Sequence, residues 1–167
     1  VAHEDLMPTA RAVAASIVNN TSFNCIATKL VVTCRSWPQR DAFLAAVGRR
    51  LASERPRPGW YPGSAAAWEA VTGRRPPDDG TLPCVFRTGL DLLAHPEWTA
   101  REWFVPVAAE TAVDAADIES FCVRATGVVR SLPGSLAASV TVPHGLAPRE
   151  RERVENLIGH LETGVVA

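Results

Sequence analysis

Apolar positions along the chain fall into short blocks whose spacing switches between that of a helix and that of a buried strand. Ala10, Val13, Ala14, Ile17 and Val18 recur at helical spacing over residues 8–18. Pro8 suits the first turn there, because its fixed φ matches a helix and its missing N–H would find no partner in any case. Lys29 leads into Leu30, Val31 and Val32, a continuous apolar run that predicts a buried strand over 29–34. Pro38 opens a second helix with Phe43, Leu44, Val47 and Leu51 on one face, stopped by Pro56 and Pro58. A shorter third helix is expected over 64–71, with Ser64 as N-cap and Gly73 as its end, before a loop rich in Pro, Asp and Gly over 74–80. Residues 82–86 and 105–109 read as strands, separated by a segment that holds Trp98 and Trp103.

The second half repeats the alternation. Asp114 or Asp117 caps a helix carrying Ile118, Phe121, Cys122 and Ala125, and Pro133 with Gly134 turns the chain into a strand over 136–142. Pro148 starts an amphipathic helix with Val154, Leu157, Ile158 and Leu161 on one face, ended by Gly164 before a last strand at Val165 and Val166. Its charged start reads as a solvated face, on which Arg151 and Glu155 form a favourable i,i+4 pair. Recurring helix and strand blocks of this kind predict an α/β fold, a three-layer α/β/α arrangement with a mostly parallel sheet. At 167 residues and 47% hydrophobic, the chain has material for one domain with a real core.

Charge narrows the classes of partner. A formal net charge of -1, with acidic and basic residues interleaved, creates no field to hold nucleic acid or an anionic membrane surface. No apolar run approaches the ~20 residues a membrane helix needs. Four cysteines without a C-x-x-C pair, and no secretory signal, fit reduced thiols in a cytoplasmic protein. His3, His95, His144 and His160 share no metal-ligand spacing, so no metal site is expected. The chain begins at Val1 and stops on an apolar, strand-like run, which reads as a piece of a longer polypeptide.

Among the cysteines, Cys25 is the one that packing explains least. Cys34, Cys84 and Cys122 sit inside apolar patterns and are expected to be buried, whereas Cys25 follows Asn19, Asn20, Thr21, Ser22 and Asn24, with only Phe23 interrupting. It lies at the junction of the first helix and first strand. A thiol on such a loop has its thiolate favoured by nearby backbone N–H dipoles, and the same donors stabilise the oxyanion formed when sulfur attacks a carbonyl. The expectation is an accessible sulfur at a concave site, with Asn24 and Phe23 beside it.

Three stretches resemble the aldehyde dehydrogenase superfamily in order and spacing. Asn19-Asn20 followed by a short turn and Asn24-Cys25-Ile26-Ala27 looks like the loop around that family's catalytic cysteine; Glu102-x-Phe104-x-Pro106-Val107 looks like its E-x-F-G-P-V motif; the 161–166 segment resembles the helix-to-strand step near the end of its catalytic domain. The strand with Leu136, Ala137, Ala138, Ser139 and Val140 falls in the same order. The resemblance implies an aldehyde-dehydrogenase-like catalytic domain over 1–167. Cys25 then matches the nucleophile, with Asn24 beside it in the catalytic site, and attacks an aldehyde to give a thiohemiacetal. Hydride passes to NAD or NADP, and an activated water hydrolyses the resulting thioester to release the carboxylic acid. Glu102 matches the carboxylate that binds the nicotinamide ribose and Phe104 the aromatic beside the nicotinamide ring.

The same resemblance places the cofactor domain and the general-base glutamate ahead of Val1, and a dimerisation strand beyond the present C-terminus. The parent is then expected to be a homo-oligomer acting on a small-molecule aldehyde. Ser22 and Phe23 stand where Gly-Gln is common in the family, and Val105 where Gly is usual. A bulky Phe23 beside the nucleophile implies a reshaped aldehyde channel. Two other readings stand beside this one. One is a redox-inactive module of the same fold with a structural or interaction role; the other is a cysteine hydrolase with His144 or His160 as base, for which no surrounding motif exists.

Overall fold

The computed structural model describes residues 5–133, 136–142, 145–161 and 165–166. Its elements in chain order are α1 (Leu6–Val18), β1 (Leu30–Cys34), α2 (Arg40–Ala52), β2 (Arg57–Pro58), α3 (Ser64–Thr72), β3 (Thr81–Leu82), β4 (Val85–Arg87), β5 (Val107–Val113), α4 (Ile118–Arg130), β6 (Ala137–Ala138), α5 (Pro148–His160) and β7 (Val165–Val166). A three-stranded parallel sheet in the order β1-β5-β4 forms the centre. Leu30 pairs with Ala109 and Val85 with Val107, so the amino ends of all three strands lie at one end of the sheet.

Alternation of side chains along these strands divides the core into two layers. Val31, Phe86 and Ala108 face α1 and α2, whose buried Ala10, Ala14, Ile17, Phe43, Leu44 and Val47 form one cluster with them. Leu30, Val85, Val107 and Ala109 face the other way, toward Trp68 and Val71 of α3 and toward Leu90, Trp98 and Trp103. The period of two along a strand produces this division. Ala10 and Ala14 leave almost no side chain between α1 and α2, which lets the two helices approach closely. The docking of α1 sets where the Cys25 loop begins, because a short 3-10 turn over Asn19–Ser22 is all that separates the helix from it.

Several boundaries differ from the sequence expectations. The strand read over 82–86 is two strands: β3 pairs antiparallel with β2, and β4 joins the main sheet. The strand read over 105–109 runs instead from Val107 to Val113, while residues 105 and 106 belong to the connection before it. The expected strand over 136–142 is reduced to Ala137–Ala138, paired in parallel with Val165–Val166. Ser64 is the first residue of α3, not its cap; Gly63 occupies the cap with φ 81°, a left-handed conformation suited to glycine. Asp117, not Asp114, caps α4, accepting the Ser120 backbone N–H at 2.8 Å, while Asp114 pairs with Arg35. On α5, the ion pair observed is Arg153 to Glu119 of α4, at 2.9 Å. The residues around Gly134, Gly164 and His144 lie outside those described.

Sequence reading did not anticipate the charge in the middle of β5. Glu110 is fully buried, and Arg40 at the start of α2 meets it with two bonds, Nε to Oε1 at 3.0 Å and Nη2 to Oε2 at 2.8 Å. Gly89 N–H at 2.8 Å and the Thr33 hydroxyl supply the remaining donors. Every lone-pair direction of the carboxylate is therefore engaged, which is the condition under which a buried charge is tolerated. Arg40→Met strands that carboxylate and is expected to cost about 3–5 kcal/mol in urea unfolding, with much of the loss recovered in the Arg40→Met, Glu110→Met double variant.

Candidate functional site

Parallel pairing of β1 with β5 decides which loops become neighbours. The Cys25 loop precedes β1 and the 102–106 segment precedes β5, so both emerge at the same end of the sheet. The Ala109 N–H donates to the Lys29 carbonyl at 2.9 Å and continues the pairing to the root of the loop.

The loop itself is closely held. Ser16 of α1 receives both the Thr28 backbone N–H, at 3.1 Å, and the Thr28 hydroxyl, at 2.8 Å. The Asn24 side-chain oxygen accepts the Ile26 N–H at 3.1 Å, and its carbonyl accepts the Ala27 N–H at 3.0 Å, a local turn typical of asparagine. Cys25 rides on this turn and is exposed, its Sγ 3.9 Å from Asn24 Oδ1. Of the other cysteines, Cys122 is buried as expected, while Cys34 and Cys84 are only partly so. Burial pushes the Cys84 thiol up to about 11, which keeps it protonated and inert at neutral pH.

Ahead of the loop the backbone takes an unusual course. Asn20, Thr21 and Ser22 have φ of 51°, 55° and 65°, three successive non-glycine residues in the left-handed region. Asparagine visits this region readily, but a β-branched threonine does so only under constraint. Such residues cost on the order of 1–3 kcal/mol each and persist where their surroundings hold them. Thr21 and Ser22 are both buried. Lys29 Nζ reaches back to donate to Ser22 Oγ and, at 2.9 Å, to the carbonyl of Val105.

On the β5 side, residues 102–105 alternate. Trp103 and Val105 point into the core, with the indole N–H of Trp103 donating to the Glu97 carbonyl at 3.0 Å; Glu102 and Phe104 are therefore turned outward. The indole anchor fixes this register, since a slip of one residue would bury Glu102 and Phe104 instead. Phe104 stacks on Tyr61 with centroids 6.5 Å apart, and Tyr61 and Trp60 both contact Phe23, at 6.0 and 4.8 Å. A row of four aromatics thus runs from Phe104 to the residue two before Cys25. Trp60, Tyr61 and Ile26 are more than half exposed.

A concavity of about 550 Å³ adjoins the loop, lined by Asn19, Asn20, Asn24, Ile26, Arg50 and Arg57 among others. Asn24 is on its wall; Cys25 and Phe23 are not, so the sulfur lies beside this hollow rather than at its floor. The sequence reading missed Lys29, Trp60 and Tyr61. A lysine leading a buried strand was the available signal for Lys29, whereas nothing in the local pattern joins Trp60 and Tyr61 to Phe23. Among the described residues no group of His, Cys, Asp and Glu is placed to hold a metal ion, and no helix is long and apolar enough to cross a membrane.

No protein-family model matches the chain, and no curated protein does. Solved structures do. An indole-3-acetaldehyde dehydrogenase in complex with NAD+ aligns with a TM-score of 0.74 and 19% identity over 97% of this chain and 35% of that one. An NADP-dependent glyceraldehyde-3-phosphate dehydrogenase from Bacillus halodurans C-125, complexed with NADP, aligns with a TM-score of 0.77 and 18% identity, again over 97% of this chain and 35% of its own. The chain thus has the fold of part of an aldehyde dehydrogenase, and spans about a third of the length of these structures.

Burial lowers the Lys29 ammonium to about 8 from 10.5, against the opposing pull of the Glu102 carboxylate and of Cys84. The unfolded chain then holds more protons than the folded one between those values, so this group adds stability as pH rises from about 8 to about 10.5 and loses it on the way down. Cys84, raised from 9.0 to about 11, has the opposite slope across its own window. In a Cys84→Ser background, the unfolding free energy relative to the Lys29→Met variant is expected to rise by up to about 3 kcal/mol across that range, as measured by urea titration at successive pH values.

Proposed function

We propose that this chain is the thiol-bearing catalytic part of an NAD(P)-dependent aldehyde dehydrogenase. The observation that carries the reading is the gathering of an exposed Cys25 and the outward-facing Glu102 and Phe104 at one end of one sheet, in a chain with the fold of such enzymes. Cys25 Sγ attacks the aldehyde carbon, losing its proton, and forms a thiohemiacetal whose oxyanion the Cys25 backbone N–H helps to hold. NAD or NADP supplies the hydride acceptor. Glu102 would accept hydrogen bonds from the ribose hydroxyls of that cofactor, and Phe104 would pack beside its nicotinamide. Asn24 orients the sulfur through its side-chain oxygen.

The rest of the machinery belongs to the parent protein. A cofactor domain supplies the phosphate-binding loop and the base that activates water for release of the acyl group, and the parent assembles as a homo-oligomer. The exposed Trp60, Tyr61 and Phe104 support this reading, because cofactor and domain contacts would cover such large exposed rings at the end of the sheet that bears the Cys25 loop.

Two outcomes test the proposal. In the 167-residue chain, iodoacetamide is expected to modify Cys25 faster than Cys34, Cys84 and Cys122 by roughly 10-fold or more, as read by peptide mass spectrometry. Equal inertness of all four would favour a redox-inactive module. The isolated chain is expected to take up an acyl group on Cys25 from an activated ester and to release it slowly. NADH production by it at roughly 1 per second or faster would show that the missing domain is not needed.

A further inference from the structure

We infer that Lys29 is a positioning residue that clamps the left-handed turn before Cys25 to the segment bearing Glu102 and Phe104. Its functional consequence rests on the proposed role of Cys25, but the clamp itself is a statement about this chain's geometry. Lys29 leads directly into β1, the strand after the nucleophile loop, and its side chain runs back beneath that loop. Nζ donates to Ser22 Oγ on one side and to the Val105 carbonyl on the other, residues 83 apart in sequence. No other hydrogen bond recorded among the described residues connects 20–25 with 102–106.

The acceptors explain why a cation is kept there. Ser22 is fully buried at φ 65°, a conformation that a glycine would adopt without strain. A serine at that position adds strain but offers a hydroxyl that glycine lacks, and that hydroxyl meets the ammonium. Val105 is equally sealed, and its carbonyl precedes the point where β5 pairing begins. An ammonium with its three donors engages both acceptors at once, and charge-assisted bonds are about twice as strong as neutral ones. The Ser22 hydroxyl beside an amine with a lowered pKa is not a second nucleophile, because no surface of that serine is open to a substrate. What the pair does is hold two segments in register. One carries the sulfur, and the other carries the groups facing the cofactor.

The charge that acts on Lys29 fits the same role. Glu102 acts on it from the outer side of the β5 segment, its carboxylate favouring the charged ammonium. A displacement of either segment therefore changes the environment of one ammonium, and through it the other segment. Loss of the clamp is expected to release both segments while leaving α2 and the strand interiors as they were.

Hydrogen exchange read by mass spectrometry on the 167-residue chain tests this with Lys29→Met, Lys29→Arg and Ser22→Gly. Lys29→Met is expected to speed exchange in the 20–28 and 103–106 peptides by roughly 10-fold, with α2 peptides within about twofold of wild type. Lys29→Arg, which keeps a charged double donor, is expected to restore most of the protection. Ser22→Gly relieves the backbone and removes one acceptor, and is expected to release the 20–28 peptides despite the relief. A folded Lys29→Met chain with wild-type exchange in either segment would overturn the clamp, as would acceleration spread evenly over the whole chain, or an arginine no better than methionine. If Lys29→Met does not fold, the Ser22→Gly chain decides, and unchanged protection over 20–28 would overturn the proposal. Slow alkylation of Cys25 in the wild type would refute the nucleophile without touching these results.

Discussion

Parallel pairing between β1 and β5 is the constraint on which the candidate site depends. In a parallel pair the segments preceding both strands leave from the same end, so backbone hydrogen bonds bring together two stretches nearly 80 residues apart. Open α/β sheets generally gather their ligands at the carboxyl ends of the strands. Here the candidate residues collect at the amino ends, because both the cysteine and the outward pair of Glu102 and Phe104 lie in connections that enter strands. The sheet supplies the common frame, and the loops supply the chemistry.

Two charges, one fully buried and one half-buried, serve that frame in different ways. Glu110 is held from four directions, by Arg40, Thr33 and the Gly89 backbone, and it ties the centre of β5 to the first turn of α2. Lys29 is more sparsely held and sits where the sheet gives way to loop. A buried charge contributes little net stability even when paired, since desolvation offsets the attraction. What it contributes at Lys29 is direction: an apolar side chain in its place would fill space without choosing between one loop position and the next.

The aromatic row from Phe104 through Tyr61 and Trp60 to Phe23 gives the same end of the sheet a second link, made of packing. Phe23 is buried while the other three rings are open to solvent, and stacked or tilted pairs of this kind are worth on the order of 0.5–1.5 kcal/mol each beyond their burial. The row therefore adds a modest link between the Phe23 turn and the segment before β5. Trp60 and Tyr61 reach it because Gly59 brings the chain against Ser64 and Leu82, where an added side chain would collide.

Much of the layered fold was legible in the chain because it follows from local periodicity. The helical faces of α1 and α2 and the apolar run of β1 each reflect the burial demanded of one element. Cys25 also stood out locally, as a cysteine without an apolar setting. The short strands were less legible: β2, β3 and β6 have two residues each, and pairing rather than composition defines them. By itself the sequence determined which faces are apolar, where the chain turns, and which thiol packing does not claim. Only the tertiary structure decided that Lys29 joins Ser22 to Val105, that Phe23 meets Trp60 and Tyr61, and that Glu110 receives Arg40. Those contacts connect residues remote in sequence, and a residue's preference for its own neighbours carries no information about which distant segment the sheet will lay beside it.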